Sequence, residues 1–182
     1  DRLHNIAALI SPQPELVPHD RYISVHPVPS EPETIPGSEI HILVTEKARI
    51  GALLCFEELL PEIAAEASRQ GAEVFLSLSN NSSFDNTKGI HLLSRQTILR
   101  AAETGTYIAR VTNTGITQIV NPYGLVTAEA KPLSKEKLIT EVSLSNRVTP
   151  YSQYGDTTML VIIFAAWFCV LIMMRKQAPR YY

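Results

Sequence analysis

The chain has few cysteines and no excess of charge of either sign. Its 182 residues include two cysteines, and 16 basic and 18 acidic side chains leave a formal net charge of −2. Two cysteines cannot form a disulfide framework, and Cys169 lies inside an apolar segment, so a bridge to Cys55 would require one of them to leave its environment. No lysine- or arginine-rich run is present, and we therefore do not expect nucleic acid as a partner.

Other features that the sequence lacks narrow the class of protein further. The sequence has no internal repeat and no low-complexity segment, and we expect neither a cofactor nor a metal. The first residue is Asp and not Met, so we expect the chain to begin after processing or to be part of something longer. Its length is enough for one domain with a sizeable core and an appendage.

The appendage is a long apolar run near the C-terminus. Thr157–Met174 contains no charged residue, and an 18-residue helix of about 1.5 Å per residue is roughly 27 Å long, enough to cross a bilayer. A buried core helix is the alternative, but a helix that is apolar around its whole circumference is unusual in so small a domain. The sequence therefore predicts a transmembrane helix.

Basic residues follow this run directly. Arg175, Lys176 and Arg180 come after it, whereas Asp156 precedes it, so the positive-inside rule predicts a cytoplasmic tail. We expect three parts: an extramembrane domain over residues 1–156, a transmembrane helix over 157–175 and a cytoplasmic tail over 176–182.

In the remainder of the chain, strand and helix patterns alternate and then give way to a run of strands. In the second helix, Leu92, Leu93, Gln96, Leu99 and Ala102 follow the 3.6-residue period. This order predicts an α/β or α+β domain in which helices cover a mixed sheet. The predicted strands are 6–10, 40–45, 49–54, 73–78, 106–112, 116–120, 125–130 and 138–142, the helices are 61–70 and 90–104, and a proline-rich loop covers 11–38.

Cys55 stands where the strand 49–54 ends, a few residues before Pro61 opens a helix. A cysteine at a sharp strand-to-helix turn is a nucleophile-elbow arrangement, in which the helix N-terminus can favour the thiolate. The alternative is a small buried hydrophobe at a strand end, the more common fate of a lone cysteine. This stretch alone leaves both interpretations open.

Short motifs over nearly the whole chain decide between them. In unbroken order they resemble segments of bacterial apolipoprotein N-acyltransferase, the membrane-embedded branch of the nitrilase superfamily, specifically its C-terminal part. The motifs are residues 51–57 around the cysteine, Arg69-Gln70-Gly71-Ala72, Ser79-Asn80, Phe84, His91-Leu92, residues 100–105, residues 110–117, Thr149-Pro150-Tyr151 and Gly155-Asp156.

This resemblance implies a partial nitrilase-like α-β-β-α sandwich, α/β in class, with one C-terminal transmembrane helix. It also implies a periplasmic domain tethered to the bacterial inner membrane. In such enzymes a glutamate deprotonates the cysteine and a lysine stabilises the oxyanion. The cysteine takes an acyl chain from phospholipid as a thioester and passes it to the N-terminal amine of a lipoprotein.

The sequence departs from the family at the positions that carry this chemistry. In the segment that resembles the family's lysine motif, the lysine position is Ser24 and the final glutamate falls on Pro32, between Glu31 and Glu33. The family's loop tryptophan falls on Ser83. The family's general-base glutamate belongs to the part upstream of residue 1. His26 stands where the family already has a histidine, so we interpret it as structural.

Two functions remain open. The first is a degenerate, non-catalytic relative that acts as a membrane-anchored structural or interaction subunit, partnered by other membrane-protein subunits or by the missing N-terminal half. The second is part of a working acyltransferase, with phospholipid and lipoprotein as its partners. A soluble amidase is disfavoured by the apolar run. The candidate site residues are Cys55 as a vestigial nucleophile, Glu57 as its neighbouring carboxylate, and Ser24 at the lysine position.

Ser24 favours the first function. Losing one oxyanion-stabilising donor typically costs about 10²–10³ in rate, and a glutamate could come from another chain, whereas the lysine belongs to this stretch. A lysine from elsewhere that points at Cys55 would reopen the second function, and Lys47 and Lys88 are the nearest in sequence.

Overall fold

The structure, a computed structural model, describes residues 3–10, 18–84 and 88–177. Within them the chain forms two sheets and four α-helices. The strands are β1 (Ile6–Ile10), β2 (Pro18–Ile23), β3 (Leu43–Val44), β4 (Arg49–Leu54), β5 (Val74–Ser79), β6 (Ile108–Thr112), β7 (Thr117–Val120) and β8 (Val126–Ala130). The helices are α1 (Pro61–Arg69), α2 (Lys88–Thr104), α3 (Pro150–Tyr154) and α4 (Thr157–Gln177).

The larger sheet has six strands in the order β3 to β8. Its centre is parallel, β4 beside β5 beside β6, because α1 and α2 form the crossovers between these strands. The strands β3, β7 and β8 pair antiparallel to their neighbours. The mixed sheet predicted from the sequence is confirmed.

Two cores lie on opposite faces of this sheet. On one face, Ile63, Ala67 and Ala101 from α1 and α2 pack against Leu53 and Phe75 of the strands. On the other face lies the two-stranded antiparallel sheet β1–β2, which is joined to β3 and β4 by a second buried cluster. The cluster contains Ala7, Tyr22, Leu43, Ala52 and Leu54. Helices, sheet and second sheet are three successive layers of the predicted partial sandwich.

The parallel strands determine where functional residues meet. The carboxyl ends of β4, β5 and β6 lie at one edge of the sheet, so the residues that follow them come together. Cys55 follows β4, Asn80 and Asn81 follow β5, and Asn113 follows β6.

Several element predictions are wrong in detail. The loop predicted over 11–38 contains β2, which pairs with β1, although residues 11–17 of that loop lie outside the described residues. Residues 138–142 form no strand and belong to an extended connection from β8 to α3. Only Leu43–Val44 of the predicted strand 40–45 is paired.

The buried face of α2 also differs from the predicted stripe. Leu92 and Leu99 are 59% and 49% exposed. The residues that face the sheet are largely polar: Ile90, Ser94, Thr97, Arg100, Ala101 and Thr104 are buried. One reason is a hydrogen bond in which the side-chain amide of Gln118 on β7 donates to the Ser94 carbonyl at 2.8 Å, since it requires that side of the helix to face inward.

The apolar run forms α4, and its Thr157–Met174 segment has a mean hydropathy of 2.5 with no residue buried in the protein. It is long and apolar enough to cross a membrane. The short α3 precedes it, capped by the Thr149 hydroxyl, which accepts a hydrogen bond from the Ser152 N–H at 3.0 Å. Arg180, one of the three basic residues that indicate orientation, lies outside the described residues, and the boundary at residue 156 stays a prediction.

Candidate active site

Cys55 lies at the predicted turn between a strand and a helix. It follows β4 directly and is the first residue of a short 3-10 helix, Cys55–Leu59, which leads through Leu60 into α1. Its φ is 53°, in the left-handed region that residues with a side chain rarely adopt. Such a backbone costs of the order of 1–3 kcal/mol and persists only where the surroundings enforce it.

The thiol of Cys55 is half-buried, and the surroundings raise its pKa. Burial is the main cause, and the carboxylates of Glu58 and Glu31 add to it, while the backbone N–H of Asn80 acts in the opposite direction. The expectation that a helix N-terminus would favour the thiolate stays a prediction, since here burial outweighs the backbone N–H groups that lower the pKa of Cys55. The turn here is a 3-10 helix with two carboxylates, Glu57 and Glu58, in its first turn.

Beside the sulfur is a small apolar cavity of about 80 Å³. Besides Cys55, its wall is formed mainly by apolar side chains from four parts of the chain: Val28, Phe56, Leu59, Phe84 and Leu93. The cavity has room for only a few carbon atoms. Phe84, at the position of the family's loop phenylalanine, is thus brought to the cysteine.

Glu57, the predicted neighbouring carboxylate, is completely buried and serves as an acceptor that joins two parts of the chain. Its Oε2 accepts from the Leu54 N–H at 2.9 Å, within the cysteine turn. Its Oε1 faces the end of β2 and the segment that follows it, from which four donors reach it. They are the Tyr22 hydroxyl at 2.8 Å, the Ser24 hydroxyl at 2.9 Å, the Val25 N–H at 2.8 Å and the His26 N–H at 3.2 Å.

Ser24 is buried and donates its hydroxyl to this carboxylate. Its backbone is fixed as well, because its N–H donates to the Asn5 carbonyl at 2.9 Å and its carbonyl accepts from the Gly37 N–H at 2.7 Å. The structure thus brings Ser24 and Glu57 together. At the position that resembles the family's lysine, this chain has a short neutral side chain. Its hydroxyl already donates a hydrogen bond to Glu57.

A second buried carboxylate supports the turn, and sequence reasoning missed it. Glu58 and Arg110 form a bidentate ion pair in which Nε donates to Oε2 and Nη2 to Oε1, both at 2.9 Å, and both side chains are buried. Ser77 also donates to Glu58 at 2.8 Å. Removing one partner of such a pair costs about 3–5 kcal/mol, since the other charge stays buried. The sequence pattern could have indicated this buried charge. Arg110 lies two residues after Ile108, so both side chains are on the inward side of β6.

The loops after β5 and β6 are joined by asparagines. The Asn113 side-chain oxygen accepts from the Asn81 N–H at 2.9 Å, and its amide donates to the Asn80 side chain at 2.6 Å. The Asn81 side-chain oxygen accepts from Arg110 at 3.1 Å. Gly115 must be a glycine here, because a Cβ at that position would lie 2.3 Å from this oxygen.

In the described part of the chain, the alternative bases and cations from the sequence are not among the groups that shift the pKa of the thiol. Lys47 is exposed in the turn before β4, at the opposite end of a six-residue strand and so about 20 Å from Cys55. Lys88 is exposed at the start of α2, and the side chain of His26 is exposed. Within the described ranges no group of three His, Cys, Asp or Glu side chains could hold a metal ion.

A cysteine at a left-handed turn, in a mixed sheet covered by helices and backed by a second sheet, defines a thiol-centred α/β sandwich domain. The family model of carbon-nitrogen hydrolases matches residues 1–150, and the chain belongs to that family.

Relatives within the family are more specific. The chain is 34% identical over 136 residues to the apolipoprotein N-acyltransferase of Geobacter metallireducens, covering 74% of this chain and 25% of that protein. It is 27% identical over 177 residues to the apolipoprotein N-acyltransferase of a Synechocystis species, covering 90% of this chain and 34% of that protein. The chain thus spans about a quarter to a third of the length of these relatives.

A solved structure supports the fold. A mutant of the amidase from a Nesterenkonia species, with the acetamide moiety of fluoroacetamide covalently added at its active-site cysteine, superposes with a TM-score of 0.57 at 23% sequence identity. The match covers 70% of this chain and 51% of the amidase. This chain is accordingly an apolipoprotein N-acyltransferase-like carbon-nitrogen hydrolase domain with one apolar C-terminal helix.

Proposed function

We propose that this chain is a degenerate, non-catalytic relative of apolipoprotein N-acyltransferase that works as a membrane-anchored structural or interaction subunit of a larger membrane complex. The observation that carries the proposal is the contact between Ser24 and Glu57. The position that resembles the family's oxyanion-binding lysine is a serine. The hydroxyl of this serine donates a structural hydrogen bond to Glu57.

Glu57 supports the same conclusion. To act on the thiol, it would have to give up donors from both the cysteine turn and the segment after β2. A hydrogen bond to a charged group contributes about 1.5–3 kcal/mol, so rotating the carboxylate would cost several of these at once. Its role is therefore to hold two segments together.

The state of the thiol adds a third argument. An unperturbed cysteine is only a few per cent thiolate at neutral pH, and the environment of Cys55 raises its pKa further through burial and the neighbouring carboxylates. Combined with loss of an oxyanion donor, a factor of about 10²–10³, this strongly slows acyl transfer through Cys55.

Incubation with phospholipid that carries labelled acyl chains tests the proposal. The protein is placed in liposomes, and each cysteine is then examined by mass spectrometry for a thioester. We expect no acyl group on Cys55 above the level on Cys169, which serves as an internal control for non-specific acylation. A thioester that forms on Cys55 and disappears in Cys55→Ala would contradict the non-catalytic function.

One observation favours the second candidate, in which the chain is part of a working acyltransferase. Cys55 keeps a strained left-handed backbone beside an apolar cavity, and such strain is concentrated at active sites. In that case Cys55 would form the thioester with a chain from phospholipid, and the missing groups would come from other polypeptide. The labelling experiment above, repeated on the complex purified from its native membrane, separates the two functions.

We infer that the domain lies on the periplasmic side of a bacterial inner membrane, with a single span and a cytoplasmic tail. The support is the apolar α4 and the basic residues Arg175 and Lys176 after Met174. The tail can be tested by adding a cysteine after residue 177 to a variant without Cys55 and Cys169. A membrane-impermeant thiol reagent added to intact cells should leave it unmodified, and a reaction that equals the one after permeabilisation would reverse the orientation.

A further inference from the structure

The connection between β8 and α3 contains a stretch that has the sequence of a strand and no strand beside it. Residues 138–142 are Leu-Ile-Thr-Glu-Val, and Ile139 is 85% exposed. In the described part of the chain, none of their backbone N–H or C=O groups bonds to another segment. Backbone donors and acceptors in such a row are a template on which a further strand can pair.

The stretch is held in place from both ends. Before it, the Leu133 N–H donates to the Thr114 carbonyl at 3.2 Å, and after it the Ser145 N–H donates to the Glu73 carbonyl at 3.1 Å. Thr114 follows β6 and Glu73 precedes β5, so the connection runs from the carboxyl ends of the parallel strands to their amino ends. Because its ends are fixed, the stretch loses less conformational entropy on pairing than a free peptide does.

The side chains of the stretch differ between its two sides. Successive residues of an extended chain point in opposite directions. Leu138 and Val142 are half-buried, whereas Lys137, Ile139 and Glu141 on the other side are exposed. The exposed side therefore presents one apolar residue with a positive and a negative charge at equal distances from it.

This pattern is complementary to itself. In an antiparallel pair with Ile139 opposite Ile139 of a second copy, Lys137 of each copy lies opposite Glu141 of the other. Side chains that are directly opposite have Cβ atoms about 4.5–5.5 Å apart, close enough for the opposite charges to attract. A parallel pair in register would place each charge opposite its like. The charges thus favour one orientation and one register.

We propose that residues 137–141 pair antiparallel with the same residues of a second copy of this chain, around a two-fold axis at Ile139. A strand pair of this length is marginal by itself. Confinement of both copies to one bilayer by α4 raises their effective concentration. The proposal rests on the membrane anchor of the proposed function, and it holds whether or not Cys55 is catalytic.

Disulfide formation in liposomes tests the pairing. The full chain carries Ile139→Cys in a Cys55→Ala/Cys169→Ala background and is oxidised with copper phenanthroline. We expect a disulfide-linked dimer, because the Cα atoms of opposite residues lie about 4.5–5.5 Å apart, within the reach of a disulfide. Ser134→Cys, exposed in the same connection, is the matched control. It would lie about ten residues of strand, roughly 34 Å, from its copy and should not cross-link.

Charge reversal separates specific pairing from chance collision. Added to Ile139→Cys, Lys137→Glu turns two attractive pairs into repulsive ones and should slow disulfide formation at least about 4-fold. The double change Lys137→Glu/Glu141→Lys restores both pairs and should recover the rate. Lys47→Glu, exposed in the turn before β4, is the matched control and should have no effect. The iodoacetamide rate at position 139 corrects each value for the reactivity of the thiol itself.

The other outcomes contradict the pairing. Equal cross-linking of the two cysteine variants, or a rate that ignores both charge changes, overturns it. A thiol at position 139 that links to a different polypeptide in native membranes, and not to its own copy, would assign the stretch to a foreign strand and overturn the proposal. Failure of the chain to float with liposomes contradicts the anchor alone, since the same assay in mild detergent then decides the pairing. No disulfide in either medium overturns it.

Discussion

At the scale of single residues, the cysteine turn is surrounded by carboxylates with structural tasks. Glu57 holds the segment after β2, and Glu58 neutralises Arg110 beneath the sheet edge. The thiol of Cys55 is half-buried near the carboxylates of Glu58 and Glu31, and this arrangement has a measurable effect on the thiol.

Alkylation of Cys55 should proceed more slowly at neutral pH than alkylation of a free cysteine. The reaction requires the thiolate, and burial with the neighbouring carboxylates raises the pKa of this thiol, so the profile moves to higher pH. Replacing Glu31 by Gln removes one of those charges and should raise the rate at pH 7 by a factor of about 1.5 to 5. The rate with iodoacetamide, measured in a Cys169→Ala background, reports the change.

Glu33→Gln is the matched control for this measurement. Glu33 lies on the other side of Pro32, is exposed like Glu31, and is not among the charges that shift the Cys55 pKa. We expect its rate to equal that of the parent. Equal acceleration by both substitutions, or a parent rate above that of free cysteine, would show that the proposed field at the sulfur is absent.

These residue-level properties could be predicted only in part. The strand pattern before Cys55 and the proline after it were sufficient to predict the turn, because both signals are local. The donors to Glu57 Oε1 come from more than thirty residues upstream, and the ion pair of Glu58 with Arg110 joins residues 52 positions apart. Contacts between residues so far apart in the sequence form only when the sheet packs, and a local sequence pattern does not predict them.

At the scale of elements, α2 shows how an apolar pattern can indicate the wrong face. Leucines occur on several sides of this helix, and the predicted stripe contains Leu92 and Leu99, which are exposed. The inward face includes Ser94, Thr97 and Arg100. Its polar groups are partly satisfied across the packing surface, for example by Gln118 of β7. A buried face of this composition gives little hydrophobic periodicity.

A pair of alanine substitutions on α2 tests this orientation. Ile90→Ala removes a side chain that is 0% exposed and should lower the free energy of unfolding by about 2–5 kcal/mol. Leu99→Ala, on the half-exposed side, should cost less than about 1 kcal/mol. Urea unfolding of the chain in mild detergent, followed by circular dichroism, measures both. A larger loss of unfolding free energy for Leu99→Ala than for Ile90→Ala would show that the predicted leucine stripe faces the core.

At the scale of the whole molecule, the sandwich leaves several surfaces open. The sheet β1–β2 has only two strands, a size that is marginal without further packing. Outside α4, exposed apolar side chains include Ile6, Ile10 and Val111 on strands. In soluble domains, exposed apolar side chains and uncovered strand edges usually mark contacts with other polypeptide.

We expect the domain and α4 to be buried together in an interface of obligate size, roughly 2,000 Å² or more of total area. Ala165 and Ala166, exposed on α4, give a small-residue surface on which a neighbouring helix can pack. Light scattering after gel filtration in mild detergent should find the chain within a larger assembly when it is extracted from its native membrane. A stable, monodisperse monomer would contradict this expectation.

The carboxylate of Glu57 has one more consequence for the molecule. It joins the cysteine turn, which belongs to the six-stranded sheet, to the segment that continues from the two-stranded sheet. If the small sheet detaches, the Leu54 and Val25 amides lose their common acceptor in the same event. Fluctuations at the outer layer and at Cys55 are therefore one cooperative opening, so that a partner that covers β1–β2 also decides how often the thiol meets solvent.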